Sequence, residues 1–241
     1  MIETAVIMAA GLGRRFGAKT EKMPKAFIEV SGKSMIVRSI ETLISCGIKR
    51  IIIGTGYKKE CFEGLKEQYP QIECCFSENY AKTNSMYTLY NMQDIIGGDD
   101  FYLLESDLVF EKKAITTLIK NKHDNIMLIT PVMKFQDQYY VEYDEKGNLK
   151  DCSTDKTTIQ PNGELVGIHK LNNKFYKLMC EEYSKIINEK PELGYEYQLL
   201  FMSQHVMPLF VLKEEDLLWY EIDDENDLVY AEENIMSKME G

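Results

Sequence analysis

The stretch VIMAAGLGRRFG, Val6–Gly17, runs from an apolar segment directly into three glycines and two arginines. The segment from Thr4 to Ala10 is short and continuously apolar, as in a strand covered on both faces, and Gly11 ends it. A glycine turn after a first strand lets backbone N–H groups approach an anion. Spacing then narrows which anion. Gly11, Gly13 and Gly17 give G-x-G-x-x-x-G, one residue longer than the dinucleotide fingerprint, and the second apolar run ends in GTG instead of an acid. The phosphate-loop pattern fails too, because the residue five places before Gly32 of "GKS" is Phe27. That segment reads as a tight turn followed by an N-cap at Ser34. The lysine and catalytic-loop motifs of protein kinases are missing.

Outward from this loop, strand and helix patterns alternate. Helical spacing over 35–46 ends at Gly47; strands are expected at 50–56, 72–76, 101–107 and 125–132, with helices to about Tyr69, at 85–96 and at 111–121. Repeated βα units predict an α/β, Rossmann-like, mostly parallel mixed sheet with helices on both faces. Ligands in such folds bind beyond the C-terminal strand ends, so the Gly11 loop and Glu105–Asp107 should share one rim. From about 134 a hairpin, a strand at 163–171, helices at 173–188 and 195–205, and two final strands follow. A helix over 224–238 closes the chain. Residues 1–241 read as a single domain, with 134–205 as an inserted lid on the same fold.

The 241 residues can bury a substantial core, and no apolar run approaches the roughly 18–20 residues that span a bilayer. The N-terminus lacks the basic flank and cleavage site of a secretory signal. The six cysteines are scattered without a C-x-x-C pair and read as reduced thiols, so a cytoplasmic protein is expected. A formal net charge of −11 argues against nucleic acid and anionic membranes as partners. Against it, Arg14, Arg15, Lys19, Lys22 and Lys25 make a basic island that suits a small anionic ligand.

The stretch AAGLGRRFG…KMPKAFIEVSGKSMI resembles the signature of nucleotidyltransferases that join a nucleoside triphosphate to a phosphorylated small molecule. Gly11, Gly13, Arg15 (or Arg14) and Pro24–Lys25 meet its G-x-G-x-R…P-K pattern. The similarity extends along the chain and narrows to cytidylyltransferases of the 2-aminoethylphosphonate and phosphocholine type. ENYAKTNSMYTLY (78–90) is similar to the segment those enzymes place around the base. LLESDLVF (103–110) resembles their acidic strand end, and WYEIDDENDLVYAEE (219–233) their closing motif.

This resemblance implies a nucleotidyltransferase fold and Mg²⁺ as cofactor, held by Asp107 and Asp223. Two carboxylates plus phosphate oxygens suffice for that ion. Either aspartate can instead cap a helix, Asp107 before LVFEKK and Asp223 before the last helix. Lys25 and Arg15 are the expected catalytic cations. Ala10, Gly11, Leu12, Gly13, Arg14 and Lys22 would cradle the triphosphate, with Asn84 and Ser85 near the cytosine. Glu105, on the same strand face as Asp107, would support either metal or ribose. For the acceptor, Tyr139, Glu142, Glu196 and Tyr197 are candidates, the acids favouring a primary ammonium.

The expected reaction is attack of a phosphonate oxygen of 2-aminoethylphosphonate on the α-phosphorus of CTP, releasing pyrophosphate. Phosphocholine or phosphoethanolamine is the alternative acceptor. A sugar-1-phosphate nucleotidylyltransferase and a nucleotide sensor without catalysis are the remaining rivals. A homodimer is compatible with this reading, as is fusion to a transaminase in a longer protein.

Overall fold

The computed structural model describes residues 2–134 and 138–239. Residues 135–137 of the expected lid, and Met1, Glu240 and Gly241 of the expected single domain, lie outside the described residues.

Strand β1 (Thr4–Ala9) leads into 3-10 turns at Arg14–Glu21 and Lys25–Phe27, then a small hairpin of β2 (Glu29–Val30) and β3 (Lys33–Ser34). Ser31 and Gly32, at φ 49° and 76°, form its tip, which accounts for the "GKS" decoy as a turn. Ser34 occupies the N-cap of α1 (Met35–Ser45), but its side chain makes no capping bond. The helix ends before Gly47, whose φ of 91° supplies the left-handed C′ residue.

Strands β4 (Arg50–Thr55) and β5 (Ile72–Phe76) flank α2 (Lys59–Gly64). The expected helix over 85–96 is broken at Met92 into α3 (Ser85–Asn91) and α4 (Gln93–Ile96). Next come β6 (Phe101–Glu105), β7 (Leu108–Phe110), α5 (Lys113–Lys120) and β8 (Ile126–Thr130). The later part contributes β9 (Tyr140–Tyr143), β10 (Leu149–Ser153), β11 (Gly163–Leu171), α6 (Asn173–Ser184) and α7 (Tyr195–His205). It ends with β12 (Phe210–Lys213), β13 (Trp219–Glu221) and α8 (Glu225–Ala231), continued by a π turn at Glu232–Met236.

The main sheet runs β10-β9-β11-β6-β1-β4-β5, with β8 joining β11 and β12 beyond it. Strands β6, β1, β4 and β5 are mutually parallel, whereas β11 is antiparallel to both β6 and β8. The mixed α/β sheet expected from the alternation is present. Strand β1 shows why its sequence is apolar without a break. Ala5 and Ile7 pack against α1, α2 and α5 residues such as Ile40, Phe62 and Leu118, while Val6 faces Met86, Leu89 and Phe175 of α3 and α6. Each such buried aliphatic side chain contributes roughly 1.5–3 kcal/mol. Strand β11, from the segment expected as a lid, lies between β6 and β8 inside the sheet. No described helix is long and apolar enough to cross a membrane.

Candidate active site

The C-terminal ends of β1 and β6 open into a cleft of about 560 Å³. The first wall is the glycine loop. Gly13 adopts φ +60°, and a Cβ there would lie 2.9 Å from Lys25 Cβ, so glycine is required for conformation and for the approach of Lys25. Thr20 Oγ1 donates to the Gly13 carbonyl at 2.9 Å and pins the turn. Phe16, buried against Ile28, Val109 and Ile222, anchors it from below. Lys25 follows Pro24 on a single 3-10 turn, with Ala26 buried beneath it.

Lys25 Nζ donates to Asp107 Oδ2 at 2.7 Å and to Asp223 Oδ1 at 2.6 Å. Arg15 reaches the same Asp223 oxygen at 2.8 Å. Burial works against the Lys25 charge, but the two carboxylates outweigh it and hold the group above its usual range. A loop residue, a strand end and the closing motif thus meet at one point, although 198 positions separate Lys25 from Asp223.

Neither aspartate is occupied as a helix cap. Residues 108–110 after Asp107 are strand β7, all buried, so the helix expected there begins later, at Lys113. At the closing motif Asp224 caps α8, accepting from the Asn226 and Asp227 N–H groups. Asp223, 4 % exposed, turns into the cleft instead, and its Oδ2 has no hydrogen-bond partner. Strand β13 pairs with β7, and the Ile222 N–H donates to the Asp107 carbonyl at 3.0 Å, which fixes the two aspartates side by side.

Two residues before each aspartate stands a glutamate. Glu105 was expected; Glu221 was not, although the same strand alternation marks it. Oxygen atoms of Glu105, Asp107 and Glu221 lie within 4.8 Å of one another. Hard carboxylate oxygens at this density, beside the orphaned buried Oδ2 of Asp223, fit a small divalent cation. Burial, then the neighbouring Asp107 and Asp223, push Glu221 up to about 8. Burial followed by Glu221 and Asp107 raises Glu105 well above the usual carboxylate range.

The far end of the cleft is acidic and aromatic. Glu196, in the first turn of α7 and buried, has an Oε2 without a partner, and burial raises its carboxyl to about 7. Tyr139, Tyr195, Gln138 and Gly167 line the same region, and Gln138 and Gly167 carry no signal in the sequence. These residues lie on separate segments brought together only by β11 and α7.

Of the expected residues, Ala10, Gly11, Leu12, Gly13, Arg14, Arg15 and Lys25 line the cleft, as do Asn84, Ser85, Glu105, Asp107, Tyr139, Glu196 and Asp223. Asn84 also caps α3 by accepting from the Ser85 N–H, and Ser85 Oγ accepts from the Tyr195 N–H at 2.9 Å. Three expected residues lie elsewhere. Lys22 is exposed at the end of the first 3-10 turn. Glu142 is held on the β9–β10 hairpin by Lys150 and by the Gln160 N–H, because the β9 register turns it away from the cleft. Tyr197 is exposed, and its ring meets Tyr139 edge-on at 5.6 Å from outside. One helical position after Glu196, it faces a different side of α7.

Comparison with known proteins agrees with this geometry. The profile of the MobA-like NTP transferase domain matches residues 5–157. A 2-aminoethylphosphonate cytidylyltransferase of Lancefieldella rimae is 36% identical over 111 residues, 46% of this chain and 45% of the relative. A choline-phosphate cytidylyltransferase of Streptococcus pneumoniae is 41% identical over 103 residues, 43% of this chain and 44% of the relative. These alignments span a little under half the length of either relative. The solved structure of the CTP:phosphocholine cytidylyltransferase LicC from Streptococcus pneumoniae superposes with a TM-score of 0.80 at 25% identity, covering 97% of this chain and 99% of that one.

Proposed function

The chain belongs to the MobA-like NTP transferase domain family, and we propose that it is a cytidylyltransferase joining the CMP of CTP to an acceptor that bears an ammonium group. We take 2-aminoethylphosphonate as that acceptor and pyrophosphate as the leaving product. The observation that carries this reading is the split of the cleft into a cationic end and a carboxyl-rich end. Arg14, Arg15 and Lys25 stand at the loop, while Glu105, Glu196 and Glu221 form no ion pair with lysine or arginine among the described residues. A triphosphate matches the first end and an ammonium the second.

The nucleophile is a phosphonate oxygen already ionised near neutral pH, so no general base is needed. The barrier lies in bringing two polyanions together and stabilising the charge that develops at the α-phosphorus. Lys25 and Arg15 donate to those oxygens, and the backbone of Gly11–Arg14 orients the phosphates. Asp107 and Asp223 would hold Mg²⁺, which when bound neutralises triphosphate charge. Asn84 and Ser85 lie on the base side. Tyr139 and Glu196 stand at the acceptor end of the cleft.

Phosphocholine is the second reading, favoured by the rings of Tyr139 and Tyr195, since aromatic faces suit a quaternary ammonium. Pyrophosphate release from CTP and Mg²⁺ should be measured against 2-aminoethylphosphonate, phosphocholine, phosphoethanolamine and glucose-1-phosphate. Highest kcat/KM with 2-aminoethylphosphonate supports the proposal. Preference for glucose-1-phosphate overturns the ammonium reading. Binding of CTP without any release overturns the catalytic one.

A further inference from the structure

Tyr195 is not needed to hold a phosphate, yet it lines the cleft and bonds to Glu105 and to Ser85 from opposite ends. Its hydroxyl donates to Glu105 Oε1 at 2.5 Å, and His169 Nε2 lies 3.1 Å from the Tyr195 hydroxyl oxygen. A tyrosine hydroxyl has one proton, so with that proton on Glu105 the imidazole must be the donor at Nε2. His169 is fully buried and its Nδ1 has no partner, which agrees with a neutral ring carrying its single proton at Nε2. The two rings meet edge-on at 5.4 Å. The result is a one-way chain from His169 through Tyr195 to Glu105.

The niche for this chain is built into β11. Its pairing with β8 shifts register between Leu165 and His169, and inside that irregularity Gly167 has φ +76°. A Cβ at Gly167 would stand 2.8 Å from Glu105 Cδ and Oε2 and push the carboxyl aside, and the positive φ itself favours glycine. The other end of Tyr195 is tied as firmly. Its N–H donates to Ser85 Oγ, and the Met86 and Asn84 N–H groups donate to the carbonyls of Leu193 and Pro191. The approach to α7 is therefore laced to the start of α3, and Glu196 is the residue next to Tyr195.

We infer that Tyr195 is a positioning residue: it fixes Glu105 beside the acceptor and locks the acceptor end of α7 to the base-side helix α3. This rests on the nucleotidyltransferase reading of the cleft. Removal of the hydroxyl leaves the ring packing and the Ser85 bond in place while releasing Glu105. The expected effect falls on the acceptor and not on CTP.

The test is Tyr195→Phe, assayed with whichever panel acceptor the wild-type protein turns over. Acceptor KM should rise about 3- to 10-fold, as expected for loss of one hydrogen bond that positions a buried carboxyl group. CTP dissociation, measured by calorimetry without acceptor or added metal, should stay within about twofold, because the hydroxyl bonds Glu105 and His169 and not the glycine loop or Lys25. Gly167→Ala, which displaces the same carboxylate, should reproduce that split. Unchanged acceptor KM in Tyr195→Phe, or CTP affinity falling in parallel with it, overturns the inference. A second readout is independent of turnover: the ¹³C carboxyl resonance of Glu105 should shift in free Tyr195→Phe protein, and an unmoved resonance overturns the bond. An acceptor without an ammonium group would instead be exposed by the wild-type panel alone.

Discussion

The two ends of the cleft are built in opposite ways. At the loop end the central charges have opposite partners already: Lys25 bridges Asp107 and Asp223, and Arg15 shares Asp223. At the acceptor end the acids Glu105 and Glu196 meet a tyrosine hydroxyl or nothing. The first end is preorganised around its own ions, so losing one member leaves another buried charge uncompensated. The second is an acidic recess whose missing partner comes with the substrate. The sharpest break of this contrast is therefore at the loop. Lys25→Ala and Asp107→Ala should each lower kcat by roughly 10²–10³-fold or more, the scale of removing one transition-state contact. Circular dichroism should show the fold intact, and near-normal pyrophosphate release by folded Asp107→Ala would sink the assignment.

Metal removal probes the same end. With EDTA in excess, pyrophosphate release should fall to background and return on adding Mg²⁺, while thermal unfolding shifts little without nucleotide. Lys25 already pairs both aspartates in the free protein, so the fold does not depend on the ion. Metal-independent turnover would remove Asp107 and Asp223 from the role proposed for them.

Next in size is the acceptor end. Glu196→Gln should raise acceptor KM about 10- to 100-fold, the worth of a charge-assisted bond, and leave CTP binding unchanged. The pH dependence follows from the same group. Burial holds the Glu196 carboxyl at about 7 in the folded protein against an ordinary 4.5. A group raised on folding contributes stability that is complete below the unfolded value and is lost as pH rises through the folded one. The thermal midpoint difference between wild type and Glu196→Gln should therefore change between pH 4.5 and 7, to the disadvantage of wild type at the upper end. Acceptor affinity runs the other way, strengthening as pH passes 7 because an ionised Glu196 is the better partner for an ammonium. A flat acceptor KM across that range would separate Glu196 from the acceptor.

The same asymmetry governs what the sequence made legible. The loop end is written in contiguous stretches, with glycines, Pro24–Lys25 and two strand-end aspartates each carrying a local signal. Helix caps were legible only in part, because Asp223 and Asp224 are adjacent and a one-residue difference decides which caps α8 and which faces the cleft. Residues 108–110, which form β7, fall between the strand expected at 101–107 and the helix expected at 111–121, because three apolar residues carry no period of their own. The acceptor end depends on β11 lying antiparallel between β6 and β8, and no local pattern announces that pairing. Glu142 and Tyr197 were chosen for chemistry near the right place in sequence. The β9 register and the turn of α7 put both outside.

The smallest effects test that placement. Glu142→Gln removes the ion pair with Lys150 on the hairpin, a contact that solvent screens. It should leave acceptor KM within about twofold of wild type, in direct contrast to Glu196→Gln. Asp224→Ala offers the matching control at the loop end. It removes the cap that accepts from Asn226 and Asp227 and should cost about 1 kcal/mol in a denaturant titration. The neighbouring Asp223 keeps its Lys25 and Arg15 contacts in that variant, and its own N–H still donates to Asp227 Oδ2 at 2.9 Å. Turnover should therefore persist at nearly the wild-type rate while stability falls. If Asp224→Ala lost activity on the scale of Asp107→Ala, the closing motif would be acting through its cap, and the division of labour between these two adjacent aspartates would be wrong.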